Sequence, residues 1–202
     1  MKLYYSPGAC SLSPHIVLCE TGLTCELVRV DLETKRTADG EDFRKLNPLG
    51  YVPALVLENG RILLEGPAIV QYLADQAPEK QLAPPAGTYE RYVLQQWLNF
   101  ISTELHQGCG ALFLHDLPEA AKLPFRTRLE KRLAYTATHL TSQHYLLGDT
   151  FTAADAYLFV VLSWRDFVGF DISPWPVLVK YFDGIADRPA VREALRQEGL
   201  TL

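Results

Sequence analysis

The segment APEKQLAPPAGT, residues 77–88, is the feature that most constrains how this chain folds. Three prolines and a glycine in twelve residues interrupt any helix or strand that reaches it, and the hydrophobic pattern differs on its two sides. Before it, strand and helix periods alternate. KLYY (2–5) reads as a strand, 10–21 as a helix closed by Gly22, and ELVRVDL (26–32) as a second strand, which together form a short βαβ unit. Residues 41–46 fit a short helix. PALVLENGRILLE then predicts two strands about Asn59-Gly60, the pair favoured by a type I′ turn, and Pro67 opens the helix AIVQYLADQ. After the segment only helical patterning remains, over 89–115, 124–145, 153–168 and 176–197, with breaks at Pro118/Pro124, Gly148 and Ser173-Pro174. The expected organisation is an α/β domain over 1–80, a linker over 81–87 and an all-α domain over 88–202.

The order β-α-β-(α)-β-β-α, with a hairpin in its second half, resembles a thioredoxin-like domain. Composition narrows the function. With 48% hydrophobic and 21% charged residues and a net charge of −5, the chain lacks the basic balance of a nucleic-acid binder. The opening MKLYYSPG breaks at Ser6-Pro7, short of a signal-peptide core, and no later run approaches the roughly 18 apolar residues of a membrane span. We therefore expect a cytoplasmic protein without membrane or nucleic-acid partners. Cys10, Cys19, Cys25 and Cys109 form neither a CxxC pair nor a His/Cys metal spacing, so neither a disulfide framework nor a metal is expected.

Thiol chemistry then rests on one cysteine. Cys10 follows the first strand in the sequence C-S-L-S, at the predicted start of a helix, where free N–H groups and the helix dipole favour a thiolate. The same position also suits a small buried hydrophobe, and the motif alone leaves both readings open. Two further features bear on it. Val52-Pro53 precedes the third strand, where a cis peptide would turn the backbone of Val52 toward a peptide ligand. Glu65-Gly66 stands at the start of the next helix, where glycine permits close approach of a ligand to the backbone.

These positions, with NPLGYVPAL, LLEGPAIVQYLAD and FTAADAYLF, resemble the glutathione transferases over essentially the whole chain, and PGACSLSPH resembles the bacterial beta class. The resemblance implies an enzyme that conjugates glutathione, its co-substrate, to hydrophobic electrophiles, and that works as a homodimer. It implies that Cys10 faces the glutathione sulfur and can form a mixed disulfide with it. Lys35 would meet the glycyl carboxylate, the Val52 backbone before Pro53 the cysteinyl part, and Glu65 and Gly66 the γ-glutamyl end. Asn99, Thr103, Glu104 and His106 would supply the remaining contacts, some of them to the neighbouring subunit's site.

At 100° per residue, Asn99, Thr103 and His106 fall within an arc of about 60°. This is a polar face that is either solvated or closes over the site. A histidine there can donate to a thiolate. The family resembled often has a basic residue directly after this histidine, whereas this chain has Gln107. Thr152-Ala153-Ala154-Asp155 has capping-box spacing, a structural feature, and Tyr157, Phe159, Trp164, Phe167 and Phe170 read mostly as core. A cysteine in place of an activating hydroxyl favours disulfide exchange over ordinary conjugation. Two alternatives share this scaffold: a glutathione-dependent disulfide reductase or dehalogenase, and a non-catalytic binding protein.

Overall fold

The computed structural model describes residues 1–201. Strands β1 (Lys2–Tyr5), β2 (Glu26–Asp31), β3 (Arg36–Thr37), β4 (Ala54–Val56) and β5 (Ile62–Leu64) form one sheet in the order β3-β2-β1-β4-β5. Only β1 and β2 run parallel, with Leu3 opposite Leu27; β1 is antiparallel to β4, with Leu3 opposite Leu55. The crossover between β1 and β2 is α1 (Leu12–Thr21), closed by Gly22 in the left-handed conformation. Helix α2 (Gly66–Asp75) follows β5. The arrangement is a thioredoxin-like α/β layer.

Three local features of the α/β layer depart from the sequence reading. Helix α1 starts at Leu12, not Cys10, because the Ser11 side chain turns back to bridge the N–H and C=O of Ser6. The hairpin turn is not type I′, since Asn59 does not have the positive φ that this turn demands. Instead Gly60 donates to the Leu57 carbonyl and is itself left-handed, giving a three-residue loop between Leu57 and Arg61. The third point is β3, a two-residue edge strand that periodicity could not register.

Beyond residue 88 the chain is helical: α3 (Tyr89–Phe100), a π-helical stretch (Ile101–His106), α4 (Gln107–Gly110), α5 (Glu119–Leu140), α6 (Ala153–Ser163), α7 (Arg165–Val168), α8 (Pro176–Ala186) and α9 (Pro189–Glu198). Pro118 precedes α5, but Pro124 lies inside it. The single helix expected over 176–197 is two, because Pro189 forces Arg188 into extended backbone. Every residue of α6 from Ala153 to Leu162 is buried. Its start is fixed by Asp155, which is fully buried and accepts from the Thr152 N–H and hydroxyl, the Leu146 N–H and the Tyr181 hydroxyl, each at 2.8 Å. A continuous core runs from Leu3 and Ile16 through Leu98 and Phe159 to Leu195, so α1 is covered by α2 on one side and by α6 and α9 on the other.

Candidate active site

The loop between β1 and α1 carries Cys10. Ser11 braces it internally, and Gly8 supplies the left-handed residue that its turn requires. Cys10 is a free, half-buried thiol whose Sγ–H donates to the Val52 carbonyl at 3.2 Å. The Val52-Pro53 peptide is cis. Burial pushes the Cys10 thiol up to about 12. The Cys10 and Ser11 N–H groups pull the other way, while the Glu65 carboxylate adds to the rise. Burial thus favours the thiol over the thiolate that a helix N-terminus stabilises, and Cys10 lies two residues before α1.

Glu65 is exposed, caps α2 and holds a left-handed backbone, φ 68°, which a residue with a Cβ adopts at a cost of about 1–3 kcal/mol. Gly66 is not left-handed, and a Cβ built there meets only the Pro53 ring at 3.8 Å. The backbone irregularity expected of the glycine belongs to its neighbour. Lys35 is likewise left-handed, φ 58°. Its ammonium group stands 5.7 Å from the Tyr51 ring centroid, next in sequence to Val52, and its stem lies against Gly50.

From the helical side, His106 Nδ1 lies 2.6 Å from the Tyr157 hydroxyl, and the imidazole meets Trp164 edge to face at 4.8 Å. Burial pulls the His106 pKa down to about 4, leaving the ring neutral. The Tyr157 hydroxyl is buried, and its pKa is raised by desolvation and by the nearby Cys10 and Glu65, with Ser102 opposing. Tyr157 thus partners the imidazole from α6. Its place among apolar core residues of α6 gave the sequence no signal of this role.

The π-helical stretch explains why the expected polar face divides. Bonds of the i→i+5 type, such as Gln107 N–H to the Ser102 carbonyl, advance fewer degrees per residue than an α-helix. His106 therefore turns toward α6, whereas Asn99 and Thr103 stay exposed, joined by a 3.0 Å bond from the Thr103 hydroxyl to the Asn99 carbonyl. Glu104 departs from the site altogether within this chain. Its carboxylate is held by Arg128 at 3.0 Å and Arg132 at 2.7 Å, in a groove floored by Trp97, Phe100 and Tyr135. Cys10 meets Val52, and Gly66 lies beside Pro53 with Glu65 next to it in the chain, whereas His106 is placed against Tyr157 and Trp164 and Lys35 against Gly50 and Tyr51.

Among the described residues no cluster of His, Cys, Asp and Glu could hold a metal ion, and no helix is long and apolar enough to cross a membrane. The sequence matches the family models "Glutathione S-transferase, N-terminal domain" over residues 1–75 and "Glutathione S-transferase, C-terminal domain" over 100–189. Glutathione S-transferase GstA of Escherichia coli O157:H7 is 47% identical, with 99% of this chain and all of that protein aligned. Among solved structures, the ternary complex of BphK, a bacterial transferase, superposes with a TM-score of 0.97 at 57% identity, covering 99% of this chain and 100% of that one. The beta-class enzyme of Sphingomonas chungbukensis does so at 0.96 and 46%, each chain covered in full. On this fold, this thiol loop and these likenesses, the chain belongs to the glutathione S-transferase family, in its bacterial beta class.

Proposed function

We propose that this transferase binds glutathione across the α/β layer with its sulfur at Cys10, and that Cys10 exchanges disulfides with glutathione while conjugation draws on His106 and Tyr157. One observation carries the reading: the free Cys10 thiol of the β1–α1 loop meets the carbonyl of the cis Val52-Pro53 peptide that precedes β4. The Val52 carbonyl, now taken by the Cys10 thiol, becomes the acceptor for the cysteinyl amide of glutathione. Glu65 and the first turn of α2 receive its γ-glutamyl end, with Gly66 leaving room for the approach, and Lys35 receives the glycyl carboxylate.

Conjugation needs the glutathione thiolate. With the Tyr157 hydroxyl donating to Nδ1, the neutral His106 keeps Nε2–H as a donor that stabilises that anion without a charge of its own. A Cys10 thiolate beside it repels it, which favours the other reaction. Cys10 loses its proton to solvent and attacks one sulfur of glutathione disulfide. A Cys10–glutathione disulfide forms and one glutathione thiolate leaves, with glutathione disulfide as the oxidant consumed. The electrophile lies against Trp164 and Phe113, whose rings meet at 5.5 Å beside His106, with the exposed Leu114 at the rim.

Asn99, Thr103 and Glu104 complete the site of a second copy in a cytoplasmic homodimer. Exposed Leu49, Tyr51, Tyr89 and Tyr92 supply apolar surface for that association. Intact mass under native, non-reducing conditions tests the proposal. The expected result is a dimer that gains one glutathione per chain at Cys10 after exposure to glutathione disulfide. A monomer without adduct that also fails to bind a glutathione-affinity column overturns it.

A further inference from the structure

Beneath the Cys10 loop lies a buried polar cluster whose His15, Gln197 and Glu198 play no part in the chemistry above. His15 of α1 is 1% exposed. Its Nδ1 is 2.9 Å from Glu198 Oε1, and its Nε2 is 2.8 Å from Gln197 Oε1. The other Glu198 oxygen accepts the Gly8 N–H at 2.9 Å. The Gly8 carbonyl in turn accepts the Trp164 indole N–H at 2.8 Å. Gly8 is two residues before Cys10 and holds φ 71°, and a Cβ there would meet the Leu200 side chain at 3.7 Å.

Both backbone polar groups of the loop's left-handed residue are therefore held by side chains more than 150 positions away, one on α9 and one at the end of α6. A buried carboxylate is costly unless it is paired and bonded. Here one pair of oxygens serves both His15 and Gly8, and a packing role alone would not require a charge at that point. The α1 and α9 helices already pack through apolar side chains, including Ile16, Val191 and Leu195.

We infer that Glu198 is a positioning residue for the reaction: with Trp164 it clamps Gly8, so that Cys10 is presented at the Val52 peptide in one geometry. The inference rests on the reading of Cys10 as the residue facing the glutathione sulfur, and its test reads the loop directly.

Glu198→Gln leaves one oxygen for two donors, and Trp164→Phe removes the donor to the Gly8 carbonyl while keeping an aromatic ring. Glu130→Gln, at an exposed position of α5, is the control. Each protein is treated with iodoacetamide, and Cys10 alkylation is followed by peptide mass. With the clamp released, Cys10 leaves the Val52 carbonyl and alkylates at least about fivefold faster in both clamp variants. Turnover with glutathione then falls about tenfold while KM for glutathione stays within about threefold. The control keeps parental values. Parental Cys10 alkylation in a folded Glu198→Gln or Trp164→Phe protein overturns the clamp. If Glu198→Gln does not fold, the alkylation rate of Trp164→Phe decides. If the parental protein forms no glutathione adduct at Cys10, the functional reading fails instead, and the alkylation result still judges the clamp.

Discussion

The Tyr157 hydroxyl sits 2.6 Å from His106 Nδ1, so a buried hydroxyl of α6 holds one nitrogen of the imidazole on the π-helical stretch. A neutral histidine is useful as a donor only if one of its nitrogens is reserved, and a buried hydroxyl reserves it. Tyr157→Phe keeps the ring and frees the nitrogen. We expect turnover in conjugation to drop about tenfold with a smaller change in KM for glutathione. Steady-state kinetics check this, and a variant with only a raised KM contradicts it.

Cys10 should divide the two reactions. Cys10→Ala removes the sulfur that we propose forms the mixed disulfide but leaves the Val52 peptide and His106 in place. Glutathione adduct formation disappears from the intact mass, and disulfide exchange falls far more than conjugation of an aromatic halide. Equal losses in both assays would sink the division of labour.

The unliganded thiol should also titrate late. With its pKa pushed up to about 12 by burial and the Glu65 carboxylate, only thiolate formation limits its alkylation. The rate should climb about tenfold per pH unit from pH 7 to pH 10 without levelling. Glu65→Gln removes a charge that disfavours the thiolate and should speed the reaction at every pH in that range. A plateau near the ordinary cysteine value would refute both expectations.

The His15–Glu198 pair predicts a pH window in stability. Burial opposes the imidazolium, yet Cys19, Glu198 and Gln197 together raise the His15 pKa from 6.5 to about 9. A raised folded-state pKa means that the folded protein holds a proton that the unfolded chain gives up. The pair's contribution, about 3 kcal/mol, is therefore complete below pH 6.5 and lost as pH rises through 9. Urea unfolding between pH 6 and pH 10 should show this decline in the parental protein. A His15→Gln variant should start lower and decline less.

Asp155 accepts four bonds in a site with no access to solvent. Asp155→Ala strands the Leu146 and Thr152 N–H groups and the Thr152 and Tyr181 hydroxyls, at a cost of about 3–5 kcal/mol. Chemical denaturation measures it, and a loss under about 1 kcal/mol would show that the start of α6 is held by packing alone.

How much of this was legible in the sequence depended on the range of the interaction responsible. The strands β1, β2, β4 and β5, the stop at Gly22 and the start of α2 at Gly66-Pro67 follow from local periods and local steric rules. The Thr152-Asp155 pair was also visible, because a capping box spans four residues. The division of Asn99 and Thr103 from His106 was not, since the arc argument assumes an α-helix and the π-helical stretch changes the angle. Nor were Tyr157, Glu198 and His15. Their roles lie in pairings of 51, 190 and 183 residues in separation, which no periodicity records. Even the high thiol pKa of Cys10 depends on burial by the folded chain, with the Glu65 carboxylate adding to it.

The burial of α1 also bears on how the chain is made. Its flank toward the sheet and α2 is complete once about the first 75 residues have emerged from a ribosome, but α6 and α9 cover its other flank. Until the last tenth of the protein is synthesised, Ile16, Val17 and Leu18 lack part of their native cover. An intermediate of that kind exposes a hydrophobic stripe beside a free thiol, and is prone to self-association during synthesis. A gene truncated before α9 should therefore yield aggregated product rather than a smaller, weaker enzyme.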